Sequence, residues 1–285
     1  MKQILSLFFS VIFLLVFGQS NDTLSRKQQR KLRPSYIVLG IGLNNSIYRD
    51  FATSPLFYKG IIPAFSLGKK KIDAKRESFF LINYASGKHK YNTAINPDKS
   101  KLWTLTLEHC KLYQIPKFST ERLNYKIGVD IQFTNNFRIN EKLENSAYGY
   151  ETFLNFSLSQ KLTLDVSRKR EINKSWKFLH YHRKQKRREL SCQFNFGVLN
   201  NNIRNGYIYL GQSDVINNFK IYDGYFMHFM QGIRMSSAIN YTIFLKNSNA
   251  FQFSYFWDAL STGTVDNRFD MSSHKFQFSL LFNLK

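Results

Sequence analysis

The sequence predicts an all-β fold: a transmembrane, antiparallel, up-and-down β-barrel of twelve strands, within a range of ten to fourteen. Three observations predict it. The last segment, residues 275–285, alternates between apolar and polar side chains; the apolar ones are Phe276, Phe278, Leu280, Phe282 and Leu284. The N-terminus carries an export signal. Short and long connections alternate between the predicted strands, as they do in outer-membrane barrels.

The closing segment has two faces because side chains at period two point to opposite sides of a strand. In a soluble β-sandwich the apolar face would turn to a core, whereas in a membrane barrel it turns to lipid and the last strand pairs with the first. A secreted sandwich is the rival fold. Several predicted apolar faces carry three or more aromatic residues, which a sandwich could bury only in one thin core.

The N-terminus predicts secretion. Lys2 precedes an apolar run from Ile4 to Phe17, which is too short for a spanning helix and is typical of a secretory signal peptide. We place the cleavage after Gly18; an uncleaved anchor is the alternative. The expected organisation is a signal peptide at 1–18, a periplasmic leader at 19–35 and one outer-membrane barrel at 36–285.

Composition narrows the partners. Aromatic residues make up 16% of the chain, which suits the interfacial girdles of a barrel as well as a soluble β-protein. The formal net charge of +22 reflects either a Lys-rich genome or contact with anionic lipopolysaccharide. Export and the lack of a recognisable motif argue against nucleic acid. Cys110 and Cys192 fall on opposite wall faces, so both are predicted to be free thiols, and the Cys and His spacing predicts no metal site.

Twelve segments are predicted as strands, in this order: 36–43, 61–69, 78–86, 102–113, 124–134, 150–167, 175–183, 190–199, 206–211, 225–246, 250–260 and 275–285. The first turns alternate aliphatic residues one way and Gly40 and Gly42 the other. The second contains Pro63, which lacks a backbone donor. The third is apolar on both faces, so its parity is open.

The next three segments, from 102 to 167, alternate clearly, and the last of them is longer than an ordinary globular strand. Segment 175–183 is the weakest, and merging or splitting the chain around 168–188 gives ten or fourteen strands. Segment 190–199 alternates firmly, 206–211 is short, and 225–246 is the longest. A turn at 247–249 leads into 250–260.

The predicted connections fall into two sets. With the N-terminus in the periplasm, the short ones on that side are 70–77, 114–122, 168–174, 200–205 and 247–249. The longer ones on the opposite side are 46–60, 87–100, 135–149, 212–224 and 261–273.

Taken together, the signal peptide, the strands rich in Asn, Lys and Phe, and the Phe-x-Phe-x-x-x-Phe-x-Leu-Lys ending at 276–285 resemble the outer-membrane β-barrels of Bacteroidota. The resemblance covers the whole mature chain. It implies a location in the outer membrane and a last strand that the barrel-assembly machinery recognises, although this strand ends in Leu284-Lys285 where an aromatic residue is common. It implies no activity.

Two sets of residues are candidates for ligand binding. The first is the segment 48–60, where Arg49, Asp50 and Ser54 either belong to a loop that caps the rim or bind a ligand. Because Arg49 and Asp50 are neighbours in an extended chain, they should meet different partners.

The second set is the charged residues that parity turns towards the lumen. They are Glu108, Lys126, Asp130, Glu151, Lys161, Asp165, Arg234 and Asp258. Such charges either pair across the interior or line a water-filled one. Arg234 and Asp258 are the ligand-binding candidates among them.

No catalytic residue, metal ligand or cofactor is predicted. An acyl hydrolase needs a Ser nucleophile, a His base and an orienting acid. His228 and Asp258 both face inward but lie at different heights, so an enzyme is the less favoured interpretation and stays open.

The segment 168–188 holds ten Lys or Arg residues. It forms either solvated turns or phosphate contacts to lipopolysaccharide at the outer rim, with Trp176 and Tyr181 as anchors. The expected function is a channel or facilitator for small solutes or apolar compounds. The alternatives are a structural or lipopolysaccharide-contacting membrane protein and a membrane-embedded lipid-modifying enzyme, with outer-membrane lipid as the partner in each case.

Overall fold

The computed structural model describes residues 33–91, 98–168, 171–176, 179–183, 185–205 and 225–284. The predicted signal peptide, most of the leader, the predicted strand 206–211 and the loop 212–224 lie outside the described residues. The strands are β1 (Ser35–Asp50), β2 (Ser54–Ile72), β3 (Arg76–Tyr91), β4 (Asp98–Gln114), β5 (Leu123–Ile139), β6 (Tyr148–Asp165), β7 (Ile172–Trp176), β8 (Leu179–Arg183), β9 (Arg188–Asn205), β10 (Tyr225–His228), β11 (Ile233–Phe244), β12 (Ala250–Thr262) and β13 (Phe269–Asn283).

The strands close into a ring of ten. β1 to β6 follow one another, β6 pairs with β9, and β9, β11, β12 and β13 complete the circle back to β1. β13 meets β1 in antiparallel register, with Ile41 opposite Phe278. The predicted antiparallel barrel and its closure by the last strand are therefore confirmed, with ten wall strands, the lower limit of the predicted range.

The wall has its apolar side outward, as the alternation predicts. Ile41 and Phe276 are 62% and 64% exposed, whereas residues on the inner face are covered; Ser279 is 1% exposed. Leu281, which interrupts the polar face of the closing strand, packs inside against Tyr36 and Phe244. A barrel surrounded by lipid needs this arrangement, since apolar side chains contact acyl chains and polar ones fill the interior.

We name the two ends of the barrel by the position of the chain termini. The terminal end holds the start of β1 and the end of β13; the distal end is the opposite one. At the distal end the connection from β1 to β2 is a turn of residues 51–53, and a 3₁₀ helix, Glu141–Ser146, joins β5 to β6. At the terminal end a 3₁₀ helix, Pro116–Phe118, joins β4 to β5.

Two predicted connections near the ends of strands are wrong. The long loop predicted at 46–60 is mostly strand, because the polar residues there lie on the inner face of a wall that continues beyond the apolar band. The turn predicted at 200–205 continues β9 for the same reason. The longest predicted strand, 225–246, is divided into β10 and β11 by a bend at residues 229–232.

The basic region also differs from its prediction. The short turn predicted at 168–174 belongs to a connection that runs from 166 to 187 and contains the β7–β8 hairpin. Segment 175–183, predicted as a wall strand, contributes to this separate two-stranded sheet. Its pairing is local, so it adds no strand to the wall.

Across the ranges described here, no helix is both long enough and apolar enough to span a membrane.

Candidate functional site

Polar side chains occupy the lumen at both ends, as a rim cluster at the distal end and a lysine cluster at the terminal end. Between them lies a central cavity. The strands position these side chains by alternation, because every second residue of a wall strand points inward. In β9 a one-residue register shift beside Val198 reverses the parity, so the buried residues have odd numbers up to Asn195 and even numbers from Asn200 to Arg204. Seven of the eight charges predicted to face the lumen are covered inside the barrel. Asp165 is the exception, since it ends β6 and is exposed at the terminal end.

The rim cluster consists of Asp50, Arg138, Glu151 and Arg204. Arg138 donates to Asp50 at 2.5 Å and through Nε to Glu151 at 2.9 Å, while Arg204 donates to the other Asp50 oxygen at 2.8 Å. Both carboxylates are 1% exposed or less. Two cations and two anions balance within the lumen, so the cluster joins four strands and narrows the distal end.

Arg49 and Asp50 face opposite sides of the wall, as adjacent residues of a strand do. Arg49 is on the outer face, where it donates to Asp270 at 2.8 Å and lies 4.4 and 4.3 Å from the ring centroids of Phe51 and Phe57. Ser54 is buried inside, and its hydroxyl accepts a 3.4 Å bond from the Tyr58 hydroxyl. Asp50 therefore joins the lumen network, whereas Arg49 stabilises the outside of the rim.

A Ser–His pair that was not predicted from the sequence lies at the same end. Ser46 Oγ is 2.7 Å from His89 Nε2, and His89 is 0% exposed. Among the described residues no carboxylate is paired with His89, so no acid orients the ring. Both residues fall in segments predicted as loops, 46–60 and 87–100, and only the longer observed strands give them an inward parity. Without an orienting acid or access for a substrate, this pair lacks what nucleophilic catalysis requires.

The His–Asp pair considered for hydrolysis from the sequence is not assembled. His228 lies opposite Asn202 on β9, and Asp258 lies opposite Ser236 on β11. Asp258 instead forms a two-pronged contact with Arg234, whose Nε and Nη2 donate at 3.1 and 2.8 Å. The structure thus brings these two ligand-binding candidates together.

The central cavity lies beside this ion pair and has a volume of about 170 Å³. Arg234 also donates to Thr134 and Asn155 at 3.0 and 2.8 Å, so four hydrogen bonds hold its guanidinium. Asp258 keeps 34% of its side-chain exposure because it faces the open volume. Most of the lining residues are polar or charged, apolar atoms supply most of the exposed lining surface, and all ten wall strands contribute.

Two further charged groups face the same cavity, Glu108 from β4 and Lys275 from β13. Glu108 is opposite Gln132 in the β4–β5 register. Lys275 Nζ donates to Asn83 at 3.1 Å and lies 4.4 Å from the ring centroid of Phe256. Lys275 shares the inward parity of Gln277, so the alternation of the closing strand already contained this placement.

The lysine cluster surrounds one carboxylate. Glu77 accepts from Lys161 at 2.5 Å, and its oxygens lie 3.2 and 3.5 Å from Lys70 and Lys126. Glu77 is 2% exposed. Three ammonium groups around one buried carboxylate narrow the terminal end of the lumen and leave it positively charged.

The basic segment 168–188 lies at the terminal end, because it connects the end of β6 to the start of β9. If the termini are periplasmic, this end is opposite the outer rim. Contact of the segment with lipopolysaccharide stays a prediction, and its placement does not favour it. In the β7–β8 hairpin Trp176 is opposite Leu179 and Tyr181 is opposite Lys174.

The two cysteines lie on opposite faces of the wall. Both cysteines are free as predicted, Cys110 buried and Cys192 exposed. Within the described ranges no group of three His, Cys, Asp or Glu side chains could hold a metal ion.

Similarity to known proteins is found at the level of the fold. No family model matches the sequence, and no curated protein matches it. Among solved structures, the outer-membrane protease OmpT from Escherichia coli aligns with a TM-score of 0.54 at 7% identity, over 93% of this chain and 100% of that one.

Two other solved structures align less well. The translocator domain of the autotransporter NalP from Neisseria meningitidis has a TM-score of 0.38 at 8% identity, covering 90% of this chain and 94% of that one. An outer-membrane channel from Pseudomonas putida F1 has a TM-score of 0.36 at 9% identity, covering 93% and 100%. The match above 0.5 carries the comparison: the chain has the fold of a bacterial outer-membrane β-barrel.

Proposed function

We propose that the protein resides in the outer membrane, with both termini in the periplasm, and facilitates the passage of small polar solutes. The apolar outer face and the fold shared with an outer-membrane protein support the location. The observation that carries the function is the central cavity, a compartment midway along the barrel with polar or charged residues from every wall strand in its lining. A purely structural barrel needs no such cavity, since side chains can fill the lumen at this level.

The contents of the lumen define the kind of passage. The rim cluster and the lysine cluster constrict the two ends, so the barrel is a facilitator with an internal compartment and differs from a wide water-filled porin. The charged groups of the lining favour polar solutes over apolar compounds, because an apolar molecule in the cavity would leave Arg234, Asp258, Glu108 and Lys275 desolvated.

A structural membrane protein is the second candidate, and the rim cluster favours it. Its four charges pair with one another inside the lumen, as they would in a barrel that never opens. A lipid-modifying or proteolytic enzyme has less support. OmpT is a protease, but at 7% identity the likeness extends to the fold alone. The Ser46–His89 pair lacks an orienting acid among the described residues.

Solute flux separates the two candidates. Proteoliposomes should swell in isotonic L-alanine, but not in raffinose, and planar bilayers should show no steady porin-sized conductance. Ala238 lines the cavity opposite Phe256. Ala238→Trp should fill the cavity and abolish the swelling. Ala259→Trp, on the outer face of β12, is the matched control and should leave it unchanged.

Each variant is first checked for heat-dependent gel mobility in detergent, which reports a folded barrel. Wild-type liposomes that do not swell in L-alanine would refute the facilitator and leave the structural protein. Equal swelling with both tryptophan variants would show that solutes do not pass through the cavity.

A further inference from the structure

The central cavity contains one acidic and one basic group that the protein does not join in a salt bridge. We infer that it binds one small zwitterion of the size of a simple amino acid, with the ammonium group at Glu108 and Gln132 and the carboxylate at Lys275. The inference rests on the proposed function only for the route by which this molecule reaches the cavity.

Several charges around the cavity are already satisfied. Arg234 and Asp258 neutralise each other through two hydrogen bonds. Lys70 and Lys161 reach the terminal side of the cavity, but both pair with Glu77. These groups need no ligand.

Glu108 and Lys275 differ from them. In the part of the chain that the structure describes, neither residue forms a salt bridge, although both line the cavity. Each lies on a different strand, β4 and β13, so a ligand between them would join the two sides of the lumen. One acidic and one basic group facing the same volume match a molecule that carries both charges.

A second observation supports an ammonium-binding position beside Glu108. Gln132 is 6% exposed and lines the cavity, yet its Oε1 atom has no hydrogen-bond partner among the described residues. A buried acceptor without a partner destabilises the fold, so it is rare without a reason. Gln132 lies directly across from Glu108 in the register. A protonated amine has three N–H donors, enough for both residues at once.

The donor end is Lys275. Its ammonium group donates to Asn83 Oδ1 at 3.1 Å and lies 4.4 Å from the ring centroid of Phe256, which fixes its position. An ammonium group has three donors and Asn83 accepts one, so two remain for a carboxylate in the cavity.

The volume limits the size of the molecule. A water molecule occupies about 30 Å³ of the liquid, and an apolar cavity of about 150 Å³ holds benzene. The central cavity, at about 170 Å³, has room for one molecule of that size. A ligand with a single charge would satisfy one end and leave the other desolvated, so the zwitterion should bind best.

Three matched probes test this inference on the wild-type protein. L-alanine, ethylammonium and propionate are titrated calorimetrically into the mature chain in detergent micelles. Ethylammonium lacks the carboxylate and propionate lacks the amine. L-alanine should bind about tenfold or more tightly than either. Equal affinity for ethylammonium or for propionate, or no binding of any probe, would overturn the inference.

Variants then locate the two ends. Glu108→Gln and Lys275→Met should each weaken L-alanine binding by about tenfold or more. Lys126→Met removes a buried ammonium group from the lysine cluster, outside the cavity, and should leave the affinity unchanged. Retained affinity in both cavity variants would refute the assignment, and the comparison of the three probes on the wild type stands even where a variant fails to fold.

The outcomes separate this inference from the proposed function. L-alanine binding without liposome swelling would refute passage and support the site. Swelling without a preference for the zwitterion would support passage and refute the site.

Discussion

The closing strand offers a quantitative test of the barrel in a bilayer. Its outward positions from Phe276 to Leu284 cover about eight residue steps, which amount to about 26 Å of strand and about 20 Å of depth at a tilt of about 40°. Leu280 lies at the centre of this band. Leu284 is about 10 Å nearer the terminal end.

The matched substitutions are Leu280→Arg and Leu284→Arg. A lipid-facing Arg costs about 2–4 kcal/mol at the bilayer midplane and about 0–1 kcal/mol near the interface. Leu280→Arg should therefore lower the free energy of unfolding by about 2–4 kcal/mol, and Leu284→Arg by about 1 kcal/mol or less. Guanidinium titrations of both variants in phospholipid vesicles, followed by tryptophan fluorescence, measure the difference.

Equal costs at the two positions would refute the depth assignment. A label at position 278 supplies an independent check, because Phe278 packs against exposed Phe253 on the outer face while its neighbour Ser279 is 1% exposed. A lipid-soluble quencher should reach a fluorophore on Phe278→Cys. A bulky water-soluble maleimide should not react with Ser279→Cys in the folded protein, and free reaction there would favour a soluble sandwich.

Two further predictions concern the lumen and the thiols. Arg138→Met should lower the free energy of unfolding by about 3–5 kcal/mol, because it removes the ion-pair partner of buried Glu151 and one of the two partners of Asp50; Arg187→Met, which removes an exposed ion pair, should cost about 0–1 kcal/mol. A loss in the Arg138 variant no larger than in the Arg187 variant in the same titration would contradict the rim cluster. In vesicles, Cys110 should resist every maleimide and Cys192 should react only with a lipid-soluble one, which mass spectrometry detects; water-soluble labelling of Cys110 would show an open lumen.

The faces of the strands were easier to predict than their number. Alternation identifies lumen and lipid sides because it is a local property of an extended chain. Segment 175–183 was predicted as a wall strand, yet it contributes to the β7–β8 hairpin outside the wall. Period two cannot distinguish a strand that crosses the membrane from one that pairs locally, since both extend the backbone in the same way.

The candidate site was predictable only in part. Parity alone gives inward positions for Arg234, Asp258 and Glu108. The position of Glu108 opposite Gln132 follows from the register, and the approach of Lys275 to Asn83 follows from the closure of the ring. Both contacts join different strands, so the alternation within one strand could not predict them. Glu77 was missed because it was assigned to the predicted connection 70–77, whereas β3 begins at Arg76.

The two-residue period of the wall gives a strand a phase, which in β9 changes once, at the register shift beside Val198. Deleting Ser279 alone would move Leu280 and the residues after it onto the opposite face, so that a lipid-facing side chain enters the lumen and a lumen-facing one enters the bilayer. Deleting Ser279 and Leu280 together would keep the phase. Leu281 would then come directly after outward-facing Phe278 and would stay on the inner face. Changes in chain length therefore act on this protein more severely than most changes of side chain. Length differences between related chains should fall in the turns, come in steps of two residues, or be absorbed by a bulge such as the one beside Val198 in β9.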